Sequence, residues 1–235
     1  MSSLSNKLRH RILLLRLKPI RVFVFHQVSD MFNPDSMWEC DWTQTETFKR
    51  AILELKKSYV FIPLADAQRH LQCDRLRLKR YAVLTADDGW ESLRGILPWL
   101  AEQHIHITLF LNPLYLDGEH KQYRSTERFL MRNEVSHLVE KYHPYISVAS
   151  HGWSHKDCSA MDMPQFQEQV AKAEQTLACF PNKIPFYAFA WGKHKKDQVD
   201  YLRNHSLVPV FVDGLSNIND SNSIHRECLD GMTAG

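Results

Sequence analysis

The sequence predicts an α/β fold, a distorted (β/α) barrel of about seven parallel strands. Three observations predict it. Apolar runs of strand character recur with helical stretches between them. Those runs are nearly continuous rather than alternating, as in strands of a parallel sheet covered on both faces. And 235 residues, 44% of them apolar, make one good-sized domain, for which a closed sheet is favoured over an open one.

Taken in order, Val22–Val28 (VFVFHQV) reads as the first strand. Thr43 to Lys57 reads as a helix, with Thr43 and Glu46 spaced as a capping box that satisfies free amides at the helix start. Ser58–Ile62 is a second strand and Leu64–Gln72 a short helix. Tyr81–Ala86 (YAVLTA) is the third strand, and Trp90–Gln103 a helix with Leu93, Leu97 and Leu100 on one face. His106–Asn112 is a strand, and a long loop from Asn112-Pro113-Leu114-Tyr115 to about Thr126 follows it. Arg128–Tyr142 is a helix and Tyr145–Ser150 a strand. Pro164–Cys179 is a helix that Asp162 and Gln165 are placed to cap. Phe186–Ala190 and Leu207–Asp213 are the last strands, with a helix near Lys196–His205 between them.

Residues 20–235 thus form one domain behind a basic segment, residues 1–19. In that segment Leu8, Ile12 and Leu15 fall on one helical face among lysines and arginines, a pattern suited to peripheral contact with an anionic membrane or to packing on the domain. It is too short and too charged for a signal peptide or a span, so cytoplasmic action, with the inner membrane face as a place of contact, is the expectation. A net charge of +2 gives no reason to expect nucleic acid as partner. The five cysteines, Cys40, Cys73, Cys158, Cys179 and Cys228, are scattered and odd in number, which fits free thiols in a reducing compartment.

Two polar clusters directly follow predicted strands. Asp87-Asp88-Gly89 follows YAVLTA, and His151-Gly152-Trp153-Ser154-His155 follows YISVAS. Alone, the first reads as a turn. On a helical turn the two histidines at i and i+4 would point the same way and grip one cation. One carboxylate completes a two-His, one-carboxylate set with open positions, and a second carboxylate off the metal can take a proton from bound water. In a barrel, both clusters face the same rim.

In these residues the chain resembles the polysaccharide deacetylases, the NodB-homology or family-four carbohydrate esterases, from about Val22 to about Leu229. The family's TFDDG motif appears as Thr85-Ala86-Asp87-Asp88-Gly89 and its HxxxH motif as His151 to His155. The resemblance implies a metal-dependent deacetylase that removes an N-acetyl group from a sugar or glycan. Asp87 would be the base, and Asp88, His151 and His155 the ligands of a divalent metal, Zn first, with Co or Fe as alternatives. The third motif departs from the family pattern: Ala188 stands where an Arg often orients the base, and Ala190 where a Pro is common. The Trp191 backbone amide is still placed as oxyanion donor, and Arg226 is the candidate to support Asp87. For the general acid, His225 in Ser223-Ile224-His225 comes first and His26 second. Trp90 and Trp153 are candidates for sugar stacking, as is the Trp191 ring, and Asn112 opens a loop expected to shape the substrate site. Deformylation, O-acetyl ester hydrolysis and sugar binding without turnover are the rival readings.

Overall fold

The computed structural model of the protein describes residues 18–32, 41–73, 79–118, 128–218 and 220–230. The amphipathic stretch expected in the basic N-terminal segment lies outside these residues. Ten strands are described: β1 (Ile20–Phe25), β2 (Gln27–Ser29), β3 (Trp42–Gln44), β4 (Val60–Phe61), β5 (Tyr81–Asp88), β6 (Ile107–Leu111), β7 (Ile146–Ser150), β8 (Lys183–Ala188), β9 (Val208–Val212) and β10 (Ile224–Cys228). The helices are α1 (Thr45–Ser58), α2 (Leu64–Gln72), α3 (Leu93–Glu102), the single turn α4 (Pro113–Leu116), α5 (Arg132–Lys141), α6 (Met163–Leu177) and α7 (Lys196–Asn204).

Seven parallel strands run in the order β1-β10-β9-β8-β7-β6-β5, and β1 closes the ring on β5 in register from Ile20↔Tyr81 to Phe25↔Ala86. Closure removes both sheet edges. Inside, Val22, Val83, Phe110, Phe186 and Val210 pack with Leu64, Ala67 and Leu71 of α2, which therefore closes the N-terminal end of the barrel. Outside, the opposite faces of β1, β5, β6 and β7 pack against α1, α3 and α5 through Phe48, Ile52, Leu97 and Val135. Each such fully buried side chain contributes about 1.5–3 kcal/mol relative to leaving it in water. Leu93, Leu97 and Leu100 are all buried on α3, as their spacing predicts.

Three local expectations are corrected. The chain stays extended through β3, where Thr43 pairs with Val28, so α1 begins at Thr45 with Gln44 as its cap and no Thr43–Glu46 capping box. Ser58–Ile62 supplies only the two-residue β4 beside the start of β5. Its place in the barrel goes to β10, IHREC, whose charged sequence carries no apolar strand signature. The box at α6 does form, with the Gln165 N–H donating to Asp162 Oδ1 at 2.9 Å and the Asp162 N–H to Gln165 Oε1 at 3.1 Å. The described cysteines Cys73, Cys158, Cys179 and Cys228 are free thiols. No helix among the described residues is long and apolar enough to cross a membrane.

Candidate metal centre and active site

β5 continues straight through both aspartates. Neighbours on a strand point to opposite faces, so Asp87 and Asp88 would diverge. They do not, because Asp88 has φ +69° and ends the alternation there. This left-handed conformation costs most residues roughly 1–2 kcal/mol, but Asp adopts it more readily than most. Gly89 follows at φ +80°, and a Cβ there would meet Leu111 Cδ2 at 2.6 Å. The DDG triplet is thus a turn as well as a site.

The histidines converge by a different route from the one expected. Residues 151–157 form a loop rather than a helical turn. Gly152 at φ +77° and His155 at φ +53° bring the rings to 5.0 Å centroid separation. His151 Nε2 lies 3.5 Å and His155 Nε2 3.1 Å from the same Asp88 oxygen, Oδ1. His151 Nδ1–H donates to the Ala188 carbonyl at 3.0 Å, which leaves its Nε2 lone pair facing the aspartate. Burial lowers the pKa of both imidazoles to about 4, against the pull of Asp87, so both are neutral near pH 7. Asp88 Oδ1 is buried and receives no hydrogen bond. A carboxylate oxygen facing an unprotonated imidazole nitrogen is repulsive unless a cation lies between them. The three ligand atoms, all within 4.8 Å of one another, fit a divalent metal on that ground.

Asp87 lies beside this set, with Oδ2 3.6 Å from His151 Nε2. Arg226 of β10, fully buried, reaches across the barrel and grips both its oxygens, at 2.6 and 2.8 Å. A further N–H of Arg226 donates to Thr85 Oγ1 at 3.2 Å, and that hydroxyl donates on to the Phe23 carbonyl at 2.9 Å. Burial alone would raise the Asp87 pKa; the Arg226 charge reverses this and holds it well below the usual carboxylate range.

His26, just past β1, is held by Asp230, just past β10. Its Nδ1–H donates to Asp230 Oδ2 at 2.5 Å and its backbone N–H to Oδ1 at 3.1 Å. Burial opposes the charged ring, but the Asp230 bond and charge, with Asp88 and Asp87 adding, raise its pKa to about 10. His225 is not brought to the site. Arg226 takes the inward position on β10, so its neighbour faces out, where His225 Nδ1 pairs with Asp213 at 2.6 Å and the ring packs near Phe211. Strand alternation is the reason.

The aromatic candidates separate. Trp191 is 49% exposed; its ring packs 4.9 Å from that of His155 and its Nε1–H donates to the His155 carbonyl at 3.1 Å. Trp153 is half-buried. Trp90 is buried, and its Nε1–H donates to Asp88 Oδ2 at 3.1 Å, so it supports a candidate metal ligand instead of offering a stacking face. Asn112 is fully buried and donates to the His151 carbonyl at 2.5 Å, so it too braces the ligand loop. Thr85 and Asp230 escaped the sequence reading of the site. The rim rule would have pointed to Asp230 had β10 been recognised as a barrel strand.

The fold has close counterparts. The chain is similar to the deacetylase PplD of Streptococcus pyogenes, solved with acetate, at TM-score 0.76 and 14% identity, over 92% of this chain and 94% of that one. It is similar to a de-N-acetylase from Aggregatibacter actinomycetemcomitans at TM-score 0.73 and 13% identity, over 93% and 97% of the two chains. IcaB from Ammonifex degensii aligns at TM-score 0.73 and 14% identity, over 90% and 92%. At such identities the likeness is one of fold. No curated protein matches the sequence. The polysaccharide deacetylase family model matches residues 75–210, more than half of the chain, taking in both carboxylates, both imidazoles and the Trp191 turn, and the chain belongs to that family.

Proposed function

We propose that the protein is a metal-dependent hydrolase that removes the N-acetyl group from an N-acetylated sugar or glycan intermediate and releases acetate. One observation carries this reading. In one barrel mouth, a cation-fitting Asp88–His151–His155 set stands beside an acid held ionised, Asp87. Two of the structural relatives, a deacetylase solved with acetate and a de-N-acetylase, support the acyl group chosen.

When bound by Asp88, His151 and His155, a divalent cation such as Zn²⁺ supplies Lewis acidity for the amide carbonyl and an acidified water. The chain's own residues do the rest. Asp87, kept as a carboxylate by Arg226, accepts the proton of the attacking water. The Trp191 backbone N–H, in the turn beside His155, is the donor for negative charge developing on the acyl oxygen. His26, kept protonated by Asp230, gives its proton to the leaving amine. The base is deprotonated and the acid protonated at the same neutral pH because each is locked by one buried ionic partner.

The test is acetate release, followed by mass spectrometry, from a panel of N-acetylated sugars and glycans with the zinc-, cobalt- or iron-loaded protein. Asp87→Asn is expected to abolish turnover with metal retained, and His151→Ala to lower metal content as well. Formate release from formamido sugars with no acetate from any amide would replace the acyl group in this reading. Full activity of Asp87→Asn would overturn the role of Asp87.

A further inference from the structure

The ends of the metal-ligand loops meet a three-ring stack. Trp90 lies on Phe129 at 4.2 Å between centroids, 29° from parallel, and Phe129 lies on Tyr115 at 4.5 Å and 14°. All three rings are at most 6% exposed. Each end of the stack carries one polar hydrogen aimed at a ligand loop. At one end Trp90 Nε1–H donates to Asp88 Oδ2 at 3.1 Å. At the other the Tyr115 hydroxyl donates to the carbonyl of Ser154, the residue before His155, also at 3.1 Å. Tyr115 and Phe129 both belong to the connection between β6 and α5. That connection is also laced by main chain to the same two loops: Leu114 N–H to the Trp153 carbonyl at 3.1 Å, Glu91 N–H to Arg128 at 2.9 Å, and Leu130 N–H to Gly89 at 2.8 Å.

We infer that the Trp90–Phe129–Tyr115 stack is a positioning device for the metal ligands, fixing Asp88 and His155 against one another. The inference rests on the metal reading above. With Oδ2 occupied by the indole N–H, Asp88 presents the single oxygen Oδ1 towards both imidazoles. Without that bond the carboxylate is free to turn about its Cβ–Cγ axis and offer either oxygen or both. Without the Tyr115 bond the backbone that sets the position of His155 loses its tie to the same frame. The Phe129 ring has no polar atom and links the two end rings by packing, while its backbone pairs with that of Trp90; buried rings are close-packed and resist displacement. Groups that orient metal ligands typically change metal affinity about 10–100-fold when removed.

Trp90→Phe and Tyr115→Phe each keep a ring in the stack and delete one polar hydrogen. The experiment titrates metal-free protein with Zn²⁺ against a chromophoric chelator and records the Tm of the metal-free protein. Each variant is expected to bind zinc about 10–100-fold more weakly than the parent, with the metal-free Tm lowered by no more than about 2–4 °C. Parental zinc affinity in either variant overturns the inference. So does a large fall in metal-free Tm with unchanged zinc affinity of the folded fraction, since that is a purely structural role. If the parent binds no zinc, cobalt or iron, the metal reading itself fails, a result distinct from the first. Should Trp90→Phe not fold, the parent answers by nitrogen-15 NMR. The Trp90 indole proton must be protected from exchange and must shift when zinc is added; a fast-exchanging proton overturns the inference.

Discussion

Replacing Arg226 with Met tests the buried pair on which the proposed base, Asp87, depends. Arg226 is 0% exposed and Asp87 2%, and two hydrogen bonds of 2.6 and 2.8 Å join them. Methionine is shorter but of similar volume and suits the apolar surround, where the guanidinium now lies 5.0 Å from the Phe110 ring centre. Removing one member of a buried pair leaves the other uncompensated and costs about 3–5 kcal/mol. For a domain of this size that is a Tm loss of roughly 6–20 °C. The pH dependence is the sharper readout. In the parent, Asp87 is held below its unfolded pKa of about 3.9, so its contribution to stability is present above that pH and is lost as pH falls through the native value. In Arg226→Met, burial is opposed only by the lesser pull of His151 and His26, so the native pKa rises. The stability that the ionised Asp87 contributes above the unfolded pKa shrinks accordingly, so the variant's stability falls less steeply than the parent's as pH is lowered. Turnover follows, because the proposed base takes up its proton at higher pH than in the parent and the acidic limb of kcat/KM moves to higher pH. Thermal melts and pH–rate profiles from pH 4 to 9 measure both. Adding Asp87→Asn to Arg226→Met should restore much of the lost stability and none of the activity, since two absent partners leave no buried charge. A variant with parental Tm and an unmoved acidic limb would refute the reasoning.

The remaining expectations concern the acid, the turn and the outer histidine. Asp230→Asn should drop the His26 pKa from about 10 towards its ordinary value, so the basic limb of the pH–rate profile moves to lower pH; an unmoved limb removes His26 as the acid. The same pair stabilises the fold fully below the unfolded His pKa, near 6.5, and is lost as pH rises through about 10, so the variant's Tm deficit should shrink at high pH. Gly89→Ala combines a φ of +80° with a 2.6 Å approach to Leu111 and should cost about 1–3 kcal/mol in denaturant melts; a neutral result would mean that the turn relaxes freely. His225→Ala should leave acetate release unchanged, and a collapse of kcat with Tm intact would bring His225 back as the acid.

The convergence of the candidate site was legible because two local signals, DDG and HxxxH, each end an apolar strand, and parallel strands put their ends on one rim. What was not legible depended on backbone sign or on contacts distant in sequence. The i, i+4 spacing of His151 and His155 suggests a helical turn, yet positive φ at Gly152 and His155 produces the convergence in a loop. Trp90 and Asn112 look like substrate-facing residues by type and place. Their burial and their hydrogen bonds to Asp88 and to the loop of His151 make them braces, and type and place do not encode burial. β10 escaped pattern reading because Arg226 is an interior residue whose charge is matched 139 positions away, at Asp87. A local window sees only a charge where a strand should be apolar.

The altered third motif makes the same point from the other side. Ala188 lacks the side chain that the family often uses to orient the base, but its carbonyl still sets the His151 ring by accepting from Nδ1 at 3.0 Å. A backbone role survives a side-chain change. The orienting charge has moved to β10, which is separated from β5 only by β1, so Arg226 crosses the barrel interior to the same carboxylate. What the proposed base requires is a buried cation at both of its oxygens, and a closed barrel has several strands from which that cation can come. Loss of a motif residue therefore does not imply loss of its function; the carboxylate's present partner decides. If Arg226 does that work here, then restoring an Arg at position 188 without removing Arg226 should disrupt the site, since two guanidinium groups would compete for one buried aspartate.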